Sequence, residues 1–337
     1  MGQQSALEYL GHGQTPFFRL PLATAARADD ARDIGGASRA ATFADLDAVI
    51  LGVPYDGGTT YQPGARFAPY HVRRVSALLQ SFHPTHGADV FDRVRAVDGG
   101  NVTAPPFDAA LARELVQARV SQVVEAGAVP FLVGGDHTIA LPAISAVAET
   151  HGRLAVVHVD AHLDTSTGEV WGSEHHHGTP LRHALVAGMI EPGQLYQIGL
   201  RSSWSDAGDG RLGDQHGARR FPMEAIERYG IDGVVSEVRR GVGERPLYLT
   251  FDVDAVDPAF APGTGTPVPG GLSSREAIRL LRGLAGLRLV GMDLVEVLPA
   301  LDHADITSHL AAQLLYEGIA LLALRDLTSA RNSPRRW

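Results

Sequence analysis

The sequence predicts an α/β fold of three layers, a mostly parallel sheet with helices packed on both faces. Two observations predict it. Short apolar runs that suit buried strands alternate along the chain with stretches whose apolar residues recur at helical spacing. Turn-forming Gly, Asp and His clusters close several of the strand runs, and in an open α/β sheet ligands gather outside the carboxyl ends of the strands. With 337 residues, 45% of them hydrophobic, the chain can bury a large core.

Residues 1–43 carry Pro16, Pro21 and the polar stretch Arg27 to Arg39 without a sustained period, and read as an extended arm before the domain. A catalytic domain is expected over 44–326 and a short tail over 327–337. Leu46 to Val53 reads as a strand ended by Pro54-Tyr55-Asp56-Gly57-Gly58, and a helix follows around Tyr70 to Leu79. Val94 to Val97 is a short strand that Asp98-Gly99-Gly100-Asn101 should break. Leu111, Leu115, Val120, Val123 and Val124 mark a helix that Gly127 closes, and Val129 to Val133 is the next strand. The rhythm continues with a helix from Leu141 to Glu149, strand Leu154 to Asp160, a helix after Thr179, strand Leu195 to Leu200 and a helix near Met223 to Arg228. Strand Leu247 to Asp252 comes next. Ser273-Ser274-Arg275-Glu276 is a capping-box start, because Ser273 and Glu276 can satisfy each other's exposed amides, for a helix running to Leu284. Val290 to Val297 is the last strand, and Ile306, Leu310, Leu314, Ile319 and Leu322 mark a final helix.

The formal charge of −9 argues against a nucleic-acid or anionic-membrane partner. With no cysteine, any metal must be held by histidine and carboxylate. No start resembling a signal peptide and no stretch suited to span a bilayer is apparent, so a soluble, cytoplasmic protein is expected. His71, His83 and His303 are expected at the surface.

The chemistry concentrates in His158-Val-Asp160-Ala-His162-Leu-Asp164. In an extended segment alternate side chains share a face, so Asp160, His162 and Asp164 would point together from a strand end. Two carboxylates and an imidazole suit Mn, Fe, Co, Ni or Zn better than Ca or Mg. Two other strand ends add donors: Gly134-Gly135-Asp136-His137, and Asp252-Val253-Asp254. If His137, Asp160, His162, Asp164, Asp252 and Asp254 converge, the four carboxylates balance two divalent ions, whereas unpaired they would each cost several kcal/mol to bury. Asp136 could orient the adjacent imidazole or simply cap its turn.

These stretches, with His177-Gly178-Thr179-Pro180, Asp257-Pro258, Asp293 to Pro299, Gly64 to Pro69 and Pro258 to Gly271, resemble the ureohydrolase family of arginase and agmatinase, most closely its agmatinase-like bacterial branch. The resemblance covers Leu46 to Leu324. It implies a single α/β/α domain, assembly as a trimer or hexamer, and a two-metal site, usually Mn2+ with Ni2+ an alternative, that hydrolyses a guanidino group to an amine and urea. Carried over residue by residue, His137, Asp160, His162, Asp164, Asp252 and Asp254 match metal ligands, His177 the proton-transfer histidine, and Glu296 the acid that holds the guanidinium.

The chemistry agrees with that implication. A guanidinium carbon is a poor electrophile, so a water acidified by two ions is needed as nucleophile, and the departing amine must be protonated, a task suited to imidazole. Glu296 could fix the guanidinium plane through both oxygens. Substrate choice is expected to rest on the loop Thr165 to His176, where Glu169 and Glu174 would suit a cationic tail such as that of agmatine and Trp171 could stack on a compact guanidine or close the pocket. A carboxylate tail, as in 4-guanidinobutyrate or 3-guanidinopropionate, would want a cation such as Arg182 or Arg201. Free guanidine and a biguanide are further candidates. Deacetylases related to this fold also use an Asp-x-His grip, but with one zinc, which leaves His137 and the second Asp pair unexplained.

Overall fold

The computed structural model describes residues 16–23, 43–205 and 208–325. Ten strands are present among them: β1 Ala48–Gly52, β2 Phe82–His83, β3 Ala88–Asp89, β4 Ala96–Asn101, β5 Val129–Val133, β6 Leu154–Val159, β7 Ile190–Ile198, β8 Arg219–Phe221, β9 Leu247–Asp252 and β10 Leu289–Val295. The helices are α1 Ala68–Ser76, α2 Val90–Arg93, α3 Ala109–Glu125, α4 Ala140–His151, α5 Pro180–Val186, α6 Arg211–Gln215, α7 Met223–Val242, α8 Ser274–Gly283 and α9 Ile306–Ala323. Eight strands form one sheet in the order β4-β1-β5-β10-β9-β6-β7-β8. Every pairing in it is parallel.

The strand sequences explain the layers. A sheet covered on both faces needs apolar side chains on both, so its strands read as continuous apolar runs. β1 and β5 are buried at every residue. Along β9, Leu247, Leu249 and Phe251 enter the core beneath α1, α7, α8 and α9, while Tyr248 enters the opposite core beneath α3, α4 and α5. The three-layer α/β/α expectation therefore describes the fold.

The differences have local causes. β4 continues through Gly99 and Gly100 because Gly99 lies against β1, where an added Cβ would come within 2.7 Å of Leu51 Cδ2 and Val49 Cγ1. In α3 the buried stripe is Ala112, Val116, Val120, Val123 and Val124, and Leu111 is exposed, a rotation of the helix start by one residue. α7 runs past Arg228 to Val242, interrupted at Gly230, whose φ of 68° lies in the left-handed region that glycine tolerates. His83 is buried rather than exposed: the short antiparallel pair β2-β3 turns it inward to Glu317, with Nε2 2.9 Å from the carboxylate.

Of the expected arm, residues 16–23 pack on the domain, with Phe17 and Phe18 fully buried and the Phe17 N–H donating to Asp98 Oδ2 at 2.9 Å. Phe43, at the end of the arm, is also buried, and residues 1–15, 24–42 and the tail over 327–337 lie outside the described residues. The stretch His303–Ala323 is, against the sequence expectation, long and apolar enough by composition to cross a membrane, but 78% of its apolar 18-residue segment is buried in the core, where its apolarity is used in packing.

Candidate active site

Five neighbouring strands, β1-β5-β10-β9-β6, deliver the candidate residues to one edge of the sheet. Thr60 follows β1, His137 follows β5, Glu296 directly follows β10, Asp252 ends β9 and Asp160 directly follows β6. Of the seven non-glycine residues with left-handed backbone among the described residues, two belong to the candidate site, Asp164 at φ 51° and Glu296 at φ 63°. Such conformations cost about 1–2 kcal/mol each and tend to cluster at functional sites.

Asp160, His162 and Asp164 do not form a single grip. β6 stops at Val159, and the turn that follows sends the residues to different neighbours. His137 Nδ1 faces Asp164 Oδ2 at 2.9 Å, Asp160 Oδ2 at 3.1 Å and Asp252 Oδ2 at 3.4 Å. His162 Nδ1 faces Asp254 Oδ2 at 2.9 Å and Asp160 Oδ1 at 3.3 Å. Asp160 thus divides its two oxygens between two adjacent clusters. Five of the six expected ligands are almost fully buried, and His162 is partly open to the cavity beside it.

The surroundings of His137 test whether a cation fits. Thr250 Oγ1 donates to Asp293 Oδ1 at 2.6 Å, so it can only accept from His137 Nε2, 2.7 Å away. That fixes one imidazole proton on Nε2 and turns Nδ1 to three carboxylates with which it makes no hydrogen bond; burial opposes a second proton there, but Asp164 and then Asp160 raise His137 well above the ordinary histidine range, so this nitrogen is set for a cation. Asp164 Oδ2 is likewise buried without a hydrogen-bond partner. A lone-pair nitrogen ringed by carboxylate oxygens is repulsive unless a cation lies among them, so the donor set fits a divalent ion. Electrostatics agree. Burial and then Asp254 and Asp160 push Asp252 well above the usual carboxylate range, and burial and then Asp160 raise Asp254. Burial opposes ionisation of His162 as well, but Asp254 and Asp160 drive its pKa up to about 12. This is a cluster short of positive charge.

Sequence reasoning missed the residues behind the candidate ligands. His158 lies within the first cluster, but its Nε2 is engaged by Asp160 Oδ2 at 2.8 Å and its Nδ1 by Gln197 Nε2 at 3.3 Å, so it steadies Asp160 rather than offering a free donor. Thr250 and Asp293 are register partners on β9 and β10, and Tyr248 donates to Asp293 Oδ2 at 2.7 Å. The only sequence signal was polar residues inside apolar strand runs. Asp136 caps its own turn, accepting from the N–H groups of Thr138 at 3.0 Å and Gly58 at 2.6 Å.

His177 and Glu296 are brought together, with Nδ1 2.9 Å from Oε1. Burial works against a charged His177, yet Glu296 raises it to about 9. Glu296 Oε1 also accepts from the His137 N–H at 2.9 Å, while Oε2 is buried with no hydrogen-bond partner. The expected pairing through both oxygens therefore meets one oxygen already in use, leaving Oε2 as the free acceptor.

A cavity of about 340 Å³ opens beside the clusters, lined by the buried or half-buried His137, His162, Asp164, Asp252, Asp254 and His177 and by the more exposed Trp171, Trp204 and Asp209. Glu174 does not line it: its side chain is exposed, and its backbone carbonyl accepts from His183 Nε2 at 2.7 Å. Arg201 directs its guanidinium at backbone carbonyls, among them those of Gly199 and Ala255, and neither it nor Arg182 lines the cavity. No lysine or arginine lines it among the described residues.

The arrangement, a parallel sheet whose strand ends gather a doubly clustered set of aspartates and histidines, is that of a metal-dependent hydrolase. Residues 46–320 match the arginase family, and the chain belongs to it. It is 44% identical over 275 residues to proclavaminate amidinohydrolase of Streptomyces clavuligerus, covering 80% of this chain and 88% of the relative. The solved structure of that enzyme superposes with a TM-score of 0.84 at 39% identity, over 93% of this chain and 98% of the other. Guanidinopropionase of Pseudomonas aeruginosa is 40% identical over 85% of this chain and 90% of its own, and mitochondrial agmatinase of Gallus gallus 39% identical over 82% and 81%. The protein is a metal-dependent amidinohydrolase acting on a guanidino compound.

Proposed function

We propose that the chain is an agmatinase-like enzyme that hydrolyses a guanidine with a cationic tail, agmatine being the type, to a diamine and urea. The observation that carries this reading is the charge of the cavity's more exposed lining, which includes Asp209 and two tryptophans and no lysine or arginine among the described residues. A carboxylate tail would there meet an acid, whereas an ammonium gains from the Asp209 carboxylate, whose Oδ2 also accepts the Ser205 N–H at 2.6 Å, and from the Trp171 indole, the Trp204 ring already carrying the Arg220 guanidinium 5.7 Å from its centroid.

His137, Asp160, Asp164 and Asp252 would hold one ion, and Asp160, His162 and Asp254, with Asp252 beside them accepting the Asp254 N–H at 2.8 Å, would hold the other, Mn2+ being the expected metal and Ni2+ able to use the same donors. When bound, the two ions supply a water acidified toward neutrality and offset the charge of four carboxylates. The protein's own groups do the rest. The free Oε2 of Glu296 accepts a guanidinium N–H and fixes its plane, and His177, held on Glu296 by Nδ1, stores the proton that the leaving amine needs. Glu169, exposed on the loop before Trp171, is not required by this reading.

The test is urea release by protein loaded in parallel with Mn2+ and Ni2+, on agmatine, 4-guanidinobutyrate, 3-guanidinopropionate, arginine, free guanidine and a biguanide. Agmatine should be the best substrate, and Asp209→Asn should narrow its lead over 4-guanidinobutyrate. A wild-type preference for either carboxylate-tailed guanidine would overturn the tail assignment.

A further inference from the structure

His177 has no ring nitrogen left to face a substrate. Nδ1 lies 2.9 Å from Glu296 Oε1, and Nε2 lies 2.7 Å from Thr60 Oγ1 and 3.3 Å from the Thr60 amide nitrogen. A carboxylate on one side of an imidazole and a hydroxyl on the other is the arrangement that moves a proton to or from that hydroxyl in serine hydrolases. Thr60 itself lines the cavity beside the clusters. We propose that the Thr60 hydroxyl is a catalytic residue, relaying the proton from His177 to the nitrogen that leaves the guanidine.

The same residue satisfies His177 in both of its states. When Nε2 is unprotonated it accepts from the Thr60 N–H, as the 3.3 Å contact records. When Nε2 carries a proton it donates to Oγ1, which is then free to turn its own hydrogen into the cavity. The transfer balances. As the tetrahedral carbon collapses, the C–N bond breaks with its electron pair on nitrogen, that nitrogen takes the Thr60 hydroxyl proton, and Oγ1 takes the Nε2 proton. His177 is recharged by the proton that the attacking water loses, so the sum is guanidine plus water giving amine plus urea.

The fold holds the contact from both sides. The His177 N–H donates to Gly58 O at 3.0 Å, and the Gly58 N–H donates to Asp136 Oδ2 at 2.6 Å, so the loop carrying Thr60 is pinned to the loop carrying His177. A Cβ on Gly58 would lie 2.3 Å from Thr138 Cγ2, so any larger residue would make this loop or the Thr138 side chain shift.

The inference rests on the guanidine-hydrolase reading, and its test separates the two. Thr60→Val keeps the shape and removes the hydroxyl, with Thr60→Ala as a second hydroxyl-free variant and Thr60→Ser as the rescue. Turnover of an alkyl guanidine should fall about 100-fold or more in both hydroxyl-free variants, at unchanged KM and ion content, and return to within a few-fold in Thr60→Ser. A guanidine bearing nitroaniline, which departs with little need of a proton, should be largely spared. Equal loss on both substrates, undiminished turnover in Thr60→Val, or a covalent amidino adduct on Thr60 would overturn the relay alone. A wild-type protein releasing no urea from any guanidine would refute the parent reading and the relay with it.

Discussion

Asp160 is shared by both clusters, its Oδ2 3.1 Å from His137 Nδ1 and its Oδ1 3.3 Å from His162 Nδ1. Asp160→Asn should therefore lose both ions and all activity, whereas Asp254→Asn, on the His162 side only, should lose one. Metal analysis of the purified variants reads the difference, and equal losses would contradict the division. Thr250→Val removes the acceptor that fixes the His137 proton on Nε2, and should weaken ion binding by about 10–100-fold while leaving the ligand count intact. Glu296→Gln removes the charge that raises His177, so the alkaline limb of the turnover profile should move to lower pH. The candidate ligands were visible in the sequence because each is a carboxylate or imidazole at or just beyond the end of an apolar run. Thr250 and Asp293 were not, since what gives them meaning is the pairing of β9 with β10, and a sequence does not state which strands are neighbours.

At the scale of the element, legibility followed the strength of the local pattern. Val129 to Val133 and Leu247 to Asp252 read from the sequence with the ends they have in the fold, and the Ser273–Glu276 capping box is present with both of its reciprocal bonds. The two-residue strands β2 and β3 carry too little pattern to read, and with them went the burial of His83. That histidine and Arg282 hold Glu317 down from its ordinary 4.5 to about 2, against the upward push of burial. A lowered carboxylate pKa contributes stability that is complete above the unfolded value and is lost as pH falls through the folded one. Glu317→Gln should thus destabilise the protein at pH near 7 by about 3–5 kcal/mol, the cost of breaking a buried pair, and the gap from wild type should close as pH falls from 4.5 toward 2. Denaturant unfolding at two pH values checks it. A gap of constant size would place the effect in packing. Gly58→Ala, which forces the Thr60 loop away from His177, should lower turnover by up to about 100-fold with ion content unchanged.

Across the whole molecule, the site exists because the sheet order makes β1, β5, β10, β9 and β6 contiguous, so that loops distant in sequence open onto one cavity. The sequence contained the motifs and, through the alternation of strand and helix, the edge they occupy. Their convergence was an expectation until the topology supplied it. The same construction buries Asp160, Asp164, Asp252 and Asp254 together, which couples folding stability to ion binding. Removing the ions should lower Tm at neutral pH, since ions at about 1,000 times their dissociation constant stabilise by about 4 kcal/mol. The most direct test of the central claim is to titrate ion-free protein with Mn2+ while following urea release from agmatine. Activity that appears only as the second equivalent per chain is bound is the predicted result; full activity at one equivalent, or without any ion, would contradict the two-ion site.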